Sequence, residues 1–245
     1  MNSPAARQLL WLLLIFLSPP LVAADCVILL HGLARSAGSM NVLESELSHA
    51  GFQVINVDYP SRDHKISTLA QLAIEPALAS CKERSSETVH FVTHSLGGIL
   101  VRVYFSDPER VVSGRVVMLG PPNQGSEVVD NLKNVPGFEF INGPAGMELG
   151  TDAEGVPARL GPVNFPLGII AGTETLNPIL SGFLPNPDDG KVSVEATQVA
   201  GMADFITLPV SHPFLMKDET AIRQTLHFLQ YGTFDHSTDS ETAND

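Results

Sequence analysis

The chain has 245 residues, 44% of them hydrophobic, which suffices for one sizeable α/β domain and does not require two. Its 27 acidic residues outweigh 14 basic ones, and the formal charge of −13 argues against nucleic acid or anionic headgroups as partners. No Cys-x-x-Cys pair, His-Glu-x-x-His helix or acidic calcium loop occurs, so neither a metal nor another cofactor is implied.

The amino terminus reads as a secretory address. Arg7 supplies a positive start, Leu9 to Leu17 an apolar stretch, and Val22-Ala23-Ala24 small residues for cleavage before Asp25. Nine apolar residues are too few for a membrane span, which needs about 20. Residues 1–24 are therefore expected to be a signal peptide and the protein to be periplasmic or secreted; an uncleaved anchor is the alternative. Removal of Arg7 would leave 13 basic residues against 27 acidic ones.

The domain expected over 25–232 begins with Asp25-Cys26-Val27-Ile28-Leu29-Leu30, a short buried strand over 26–31 that runs into His31-Gly32-Leu33-Ala34-Arg35-Ser36. A helix over 39–50 follows, capped by Ser39, with Leu43, Leu47 and Ala50 as its apolar stripe and Gly51 at its end. After a strand over 53–57, a helix over 66–80 contains Pro76, which should kink or interrupt it. A strand over 88–94 leads through Ser95 into a helix over 95–106, and a strand over 115–120 follows.

Residues 121–165 are less regular, with 13 glycines or prolines among 45 positions. A short helix there carries Val128, Val129 and Leu132, and Phe138, Phe140, Ile141, Met147 and Leu149 follow. This stretch would line or cover a pocket, or pack as a loop over the sheet edge. Strands over 167–172 and 204–208 and a helix over 213–230 complete the order, and such alternation implies a parallel sheet covered on both faces. The polar, acidic tail 233–245 is expected to be disordered.

The run Val89-His90-Phe91-Val92-Thr93-His94-Ser95-Leu96-Gly97-Gly98 carries the chemistry. A strand that turns sharply into a helix crowds both neighbours of the serine and holds its hydroxyl clear of the sheet. Gly97 and Gly98 meet that demand on the helix side, while Thr93 stands where Gly-x-Ser-x-Gly has glycine. A helix-capping serine is the plainer alternative. With His31-Gly32 after the first strand, the chain resembles the serine α/β-hydrolases, most closely bacterial lipases and esterases with His-Gly-Leu and His-Ser-Leu-Gly-Gly signatures, from about Cys26 to Tyr231. The resemblance implies an α/β-hydrolase fold, here without a leading antiparallel hairpin. It also implies an oxyanion hole from the N–H groups of Leu33 and Leu96, and a pocket near His31, Gly32, His94, Val128 and Val129.

A serine hydroxyl needs a positioned base. His212 stands between the last strand and the last helix, where chain order Ser, acid, His places that base. Of the other histidines, His31 and His94 would shape the site, His227 would edge the core, and His49, His64, His90 and His236 read as structural or solvated. Glu174, Asp188 and Asp189 are candidates for the acid. Asp189 is favoured because Asp189-Gly190-Lys191-Val192 is similar to the Asp-Gly-x-Val around the acid of many bacterial lipases, although Pro-Asp-Asp-Gly is also a strong turn signature. Cys26 and Cys81, placed near the N-terminal ends of the strands over 26–31 and 88–94, would form a disulfide in an exported protein, or remain as buried thiols.

The expected activity is hydrolysis of a small-molecule or lipid carboxylic ester through an acyl-enzyme, with membrane contact only transient or through an uncleaved anchor. A thioesterase or acyltransferase on the same three residues, and a non-catalytic binding protein, are the alternatives.

Overall fold

The computed structural model describes residues 24–176 and 178–237. Most of the expected signal peptide and the end of the acidic tail lie outside the described residues. Strands β1 (Cys26–Leu30), β2 (Gln53–Val57), β3 (Val89–His94), β4 (Val116–Leu119), β5 (Leu167–Gly172) and β6 (Asp204–Leu208) form one sheet in the order β2-β1-β3-β4-β5-β6. Every pair is parallel, with Leu30 opposite Thr93 and His94 opposite Leu119.

β1, β3, β4 and β5 are buried along their whole length, as parallel strands covered on both faces must be. Alternate residues divide between two apolar layers. Ile28, Leu30, Phe91, Val116 and Ile169 face one layer, and Val27, Leu29, Val92, Val117 and Ile170 the other. Helix α1 (Asn41–His49) covers the second layer with Leu43 and Leu47, whereas α2 (Ile66–Glu83) and α3 (Leu96–Tyr104) cover the first with Leu69, Ile74, Ile99 and Leu100. The short helices α4 (Glu127–Leu132), α5 (Phe138–Met147), α6 (Val156–Arg159), α7 (Pro178–Ser181) and α8 (Val194–Thr197) lie in the connections, and α9 (Glu219–Tyr231) packs Ala221, Ile222, Phe228 and Leu229 beside α1.

Several local expectations are corrected. α2 runs through Pro76 to Glu83 without interruption, because Pro76 is on the exposed side, where water can satisfy the carbonyl it leaves without an N–H. Ser39 does not cap α1; it lies in the preceding 3-10 turn and its hydroxyl donates to the Ser36 carbonyl at 2.8 Å. Cys81 sits in the last turns of α2 rather than at a strand end, and it is bridged to Cys26 across 55 positions. Closing a loop of that length stabilises the fold by about 4 kcal/mol in the chain-entropy picture. The tail expected to be disordered from Thr233 is ordered as far as Ser237, since Phe234 is buried against Phe228 and its N–H donates to Asp204 at 2.7 Å.

Arg102 on α3 fastens the irregular middle segment to the sheet layer. Its buried guanidinium donates to the carbonyls of Asn123 at 2.7 Å, Leu160 at 3.1 Å and Gly161 at 3.1 Å. Burial lowers its pKa to about 10, so it stays cationic at neutral pH while carbonyl dipoles, not a carboxylate, stabilise the charge.

Candidate active site

In a parallel sheet all strands end on one edge, and the connections that leave it converge there. β3 ends in Ser95, whose φ of 53° and ψ of −120° lie outside the regions an L-residue readily adopts. The surroundings enforce this conformation: the Ser95 N–H donates to the Leu119 carbonyl at 2.9 Å, and the Gly98 N–H closes back on the Ser95 carbonyl at 3.0 Å. Gly97 is obligatory, since a Cβ there would lie 2.5 Å from the Leu30 carbonyl oxygen. Thr93 is fully buried and its hydroxyl has no hydrogen-bond partner, a polar cost at the position where glycine was expected. The plainer reading of Ser95 as a helix cap is not supported, because its side chain makes no cap hydrogen bond to α3.

His212 follows β6 and Asp189 follows β5. His212 Nδ1 lies 2.6 Å from Asp189 Oδ2, and the His212 N–H donates to the Asp189 carbonyl at 2.9 Å. The other carboxylate oxygen of Asp189 accepts from the N–H groups of Lys191 at 3.0 Å and Val192 at 2.8 Å. Four interactions therefore fix one imidazole relative to one carboxylate, and Nδ1 carries the proton that points at Asp189. Asp188 does something else: it accepts from the Ser181 hydroxyl at 2.6 Å and the Gly190 N–H at 2.7 Å, which builds the turn. Glu174 is exposed. Only Asp189 among the three meets His212.

Two glycines without an evident sequence signal make room for this pair. A Cβ on Gly120 would lie 2.9 Å from Asp189 Oδ2 and 3.1 Å from His212 Nδ1, and its φ of 55° disfavours any side chain. A Cβ on Gly172 would lie 2.8 Å from Asp189 Cβ and 2.2 Å from the Val210 carbonyl oxygen.

His31 and His94 support the site from beneath. His31 is fully buried, stacks on Tyr59 with ring centroids 4.0 Å apart, and holds the Gly32 carbonyl through Nδ1 at 2.9 Å. It does not line the cavity, and neither does Gly32, so the expectation that these two are pocket residues is corrected. Gly32 is small because His94 Nδ1 and Ser95 crowd it; a Cβ would meet them at 2.7 and 3.2 Å. The Ala34 N–H donates to the Ser61 hydroxyl at 3.1 Å and Ala34 has a φ of 55°, which fixes the turn that follows Leu33. Neither the Leu33 N–H nor the Leu96 N–H has a hydrogen-bond partner among the described residues. His94 Nε2 donates to the His212 carbonyl at 3.0 Å, which leaves Nδ1 unprotonated and without a partner.

A cavity of about 470 Å³ opens over these groups. Ser95, His94 and His212 line it together with Leu33, Val128 and Val129, and Leu132, Phe138, Ile141 and Leu149 extend the apolar wall. Residues between Pro122 and Leu149 thus contribute much of the cavity lining, together with Leu33, Leu180 and Val192. Arg35 and Lys191, which sequence reasoning did not single out, also line it.

Residues 27–236 match the model of the Alpha/beta hydrolase family. Among solved structures, the mature lipase BlEst2 of Bacillus licheniformis is 18% identical, with a TM-score of 0.64 over 86% of this chain and 93% of that one. The phospholipase PlaB of Legionella pneumophila is 18% identical, with a TM-score of 0.64 over 90% of this chain and 61% of that one. The metagenomic carboxyl esterase MGS0156 is 18% identical, with a TM-score of 0.59 over 78% of this chain and 65% of that one. No match was found among curated proteins. At these identities the structural likenesses show the fold.

Burial holds His31, His90 and His94 below the ordinary imidazole value of 6.5, His94 most strongly, where His212 and Arg35 also disfavour a second charge. Asp25 opposes the shift at His90, and the His212 carbonyl opposes it at His94. Below pH 6.5 the unfolded chain therefore binds more protons than the folded one. The stability these neutral rings contribute is fully present above 6.5 and is lost as pH falls toward their folded values. Urea unfolding between pH 7.5 and 5.5 should show this decline, and His94→Asn should flatten it; a variant with an unchanged slope would contradict the assignment of a neutral, buried His94.

Proposed function

Because the chain belongs to the alpha/beta hydrolase family, we propose that it cleaves carboxylic esters with Ser95 as nucleophile, His212 as base and Asp189 as the group that orients and charges the base. The observation that carries this reading is the buried 2.6 Å contact of His212 Nδ1 with Asp189 Oδ2 on the wall of a cavity that Ser95 also lines.

The contact between His212 and Asp189 supports the following chemistry. With Nδ1–H committed to Asp189, the unprotonated Nε2 is the nitrogen left to take the Ser95 proton. Ser95 Oγ attacks the ester carbonyl, and charge moves onto the carbonyl oxygen. The free N–H groups of Leu33 and Leu96 are the donors for that oxygen, each worth on the order of 10²–10³ in rate. The C–O bond to the alcohol then breaks, and the alcohol leaves with the proton returned by His212. Water enters, gives its proton to His212 and its oxygen to the acyl carbon, and Ser95 regains its hydrogen as the acid departs. Asp189 remains ionised throughout and stabilises the imidazolium that forms twice per turnover. The apolar wall from Val128 to Leu149 suits an acyl chain, and the lipase and esterase names of the structural neighbours agree with an ester substrate.

Export is part of the same proposal. The Cys26–Cys81 bridge supports it, since disulfides persist in oxidising compartments. Amino-terminal sequencing of protein recovered from the producing cell should find chains that begin at or near Asp25; membrane-bound chains that still begin at Met1 would refute cleavage.

The acid assignment makes the sharper test. With a panel of p-nitrophenyl esters, Asp189→Asn should lower kcat on the order of 10³–10⁴ with little change in KM, because the lost interaction strengthens mainly in the transition state. Asp188→Asn and Glu174→Gln should keep kcat within about tenfold. A large loss at Glu174 with a mild one at Asp189 would reverse the assignment.

A further inference from the structure

The cavity has a charge opposite to that of the molecule. Across the chain 27 acidic residues face 14 basic ones, yet no carboxylate lines the cavity among the described residues, whereas both Arg35 and Lys191 do. Neither cation has a carboxylate within 4.0 Å among the described residues; the ion pairs formed by arginine and lysine elsewhere involve Arg110 and Lys133. Arg35 also borders a neighbouring surface depression that contains Asp58 and Asp63, but Asp58 is turned to the Ala37 N–H at 2.9 Å.

Both cations rise from backbone that the site holds in place. Lys191 donates its N–H to Asp189 at 3.0 Å, and its carbonyl accepts from the Ser126 hydroxyl at 2.9 Å. Arg35 follows Ala34, whose positive φ and bond to Ser61 fix the turn after Leu33. Both residues are exposed and line the same cavity, and Lys191 is held below the ordinary lysine value by partial desolvation first, then by Arg35, with Asp189 acting in the opposite sense. Two like charges that line one cavity repel each other, and an anion held between them relieves that repulsion.

We propose that Arg35 and Lys191 form an anion subsite of the active-site cavity, so that the preferred substrate is an ester whose alcohol portion carries a carboxylate or phosphate. This rests on the ester-hydrolase reading above and names its substrate class. The acyl chain lies along the apolar wall and the anion between the two cations, near the loops that bear the oxyanion donors and Asp189. The occupant is a single soluble ester and not an anionic bilayer, because the net charge of −13 repels an extended anionic surface while a small anion that enters the cleft meets only the two cations.

The test uses matched pairs that differ in charge alone as far as chemistry allows. One pair is 1-butyryl-glycerol 3-phosphate against 1-butyryl-glycerol; the other is 3-butyryloxypropionate against its neutral primary amide. The anionic member of each pair should have a kcat/KM about tenfold higher, as expected for a charge-assisted hydrogen bond. That ratio should approach one in Arg35→Gln/Lys191→Gln and persist in Arg35→Lys and Lys191→Arg. Vesicles of phosphatidylglycerol should be cleaved no faster than vesicles of phosphatidylcholine; the opposite would make the target a charged surface and overturn the soluble-ester proposal. Binding to Ser95→Ala, measured by calorimetry, separates the two readings. Tighter binding of the anionic esters that vanishes in Ser95→Ala/Arg35→Gln/Lys191→Gln sustains the subsite even if no ester is hydrolysed, in which case the hydrolase reading alone falls. Hydrolysis of both neutral esters with no anionic preference, or a preference that survives loss of both cations, overturns the subsite and leaves the hydrolase reading standing.

Discussion

The short, buried contact between Asp189 and His212 is the constraint around which this end of the molecule is organised. A carboxylate in a dry site is costly unless its oxygens are satisfied, and here His212 satisfies one while the N–H groups of Lys191 and Val192 satisfy the other. The pair fits only because Gly120 and Gly172 withdraw their side chains from it. His94 then fastens the backbone of His212 to the strand-end residue that precedes Ser95. Asp189, His212 and His94 thus follow or end three separate strands and yet are joined by short contacts, with Ser95 next in the chain after His94. The parallel sheet supplies the common edge; the glycines supply the space.

What was legible in the chain was local or followed from chain order. The strands were placed within a residue or two because central parallel strands are nearly continuous apolar runs, and β5 from Leu167 to Gly172 and β6 from Asp204 to Leu208 agree throughout. Ser95 was found from the strand-serine-glycine pattern. His212 was singled out by its place after the last strand and Asp189 by the resemblance of Asp189-Gly190-Lys191-Val192 to a lipase motif; in the fold Asp189 meets His212, Asp188 builds a turn and Glu174 is exposed. The misses were tertiary. Pro76 does not break α2 because its exposed face lets water replace a hydrogen bond, and Cys81 reaches Cys26 from a helix that crosses the start of β1. Phe234 orders the beginning of a tail whose average composition is polar. Gly120 resembles any turn glycine until Asp189 and His212 are seen against it.

Charge shows the same limit. A sum over the chain describes the far field, and from −13 the sensible inference is repulsion of anions. Within a cleft only the nearest groups matter, since screening confines the far field to about 8–10 Å at ordinary salt. Arg35 and Lys191 are separated by much of the sequence and carry no shared motif, so their place in the lining of one cavity with Ser95 is visible only in the fold. The neutral state of His94 also belongs to this local balance, because burial, His212 and Arg35 together exclude another positive charge beneath the site.

The central claim is that Ser95 is made reactive by His212. Intact-mass analysis and peptide mapping after treatment with a fluorophosphonate test it most directly, since the reagent captures an activated serine and reports its position. One adduct per chain, located on Ser95, absent from Ser95→Ala and formed at least about a hundredfold more slowly in His212→Ala, is the predicted result. An adduct on another residue, or labelling of Ser95 at an unchanged rate without His212, would contradict the account.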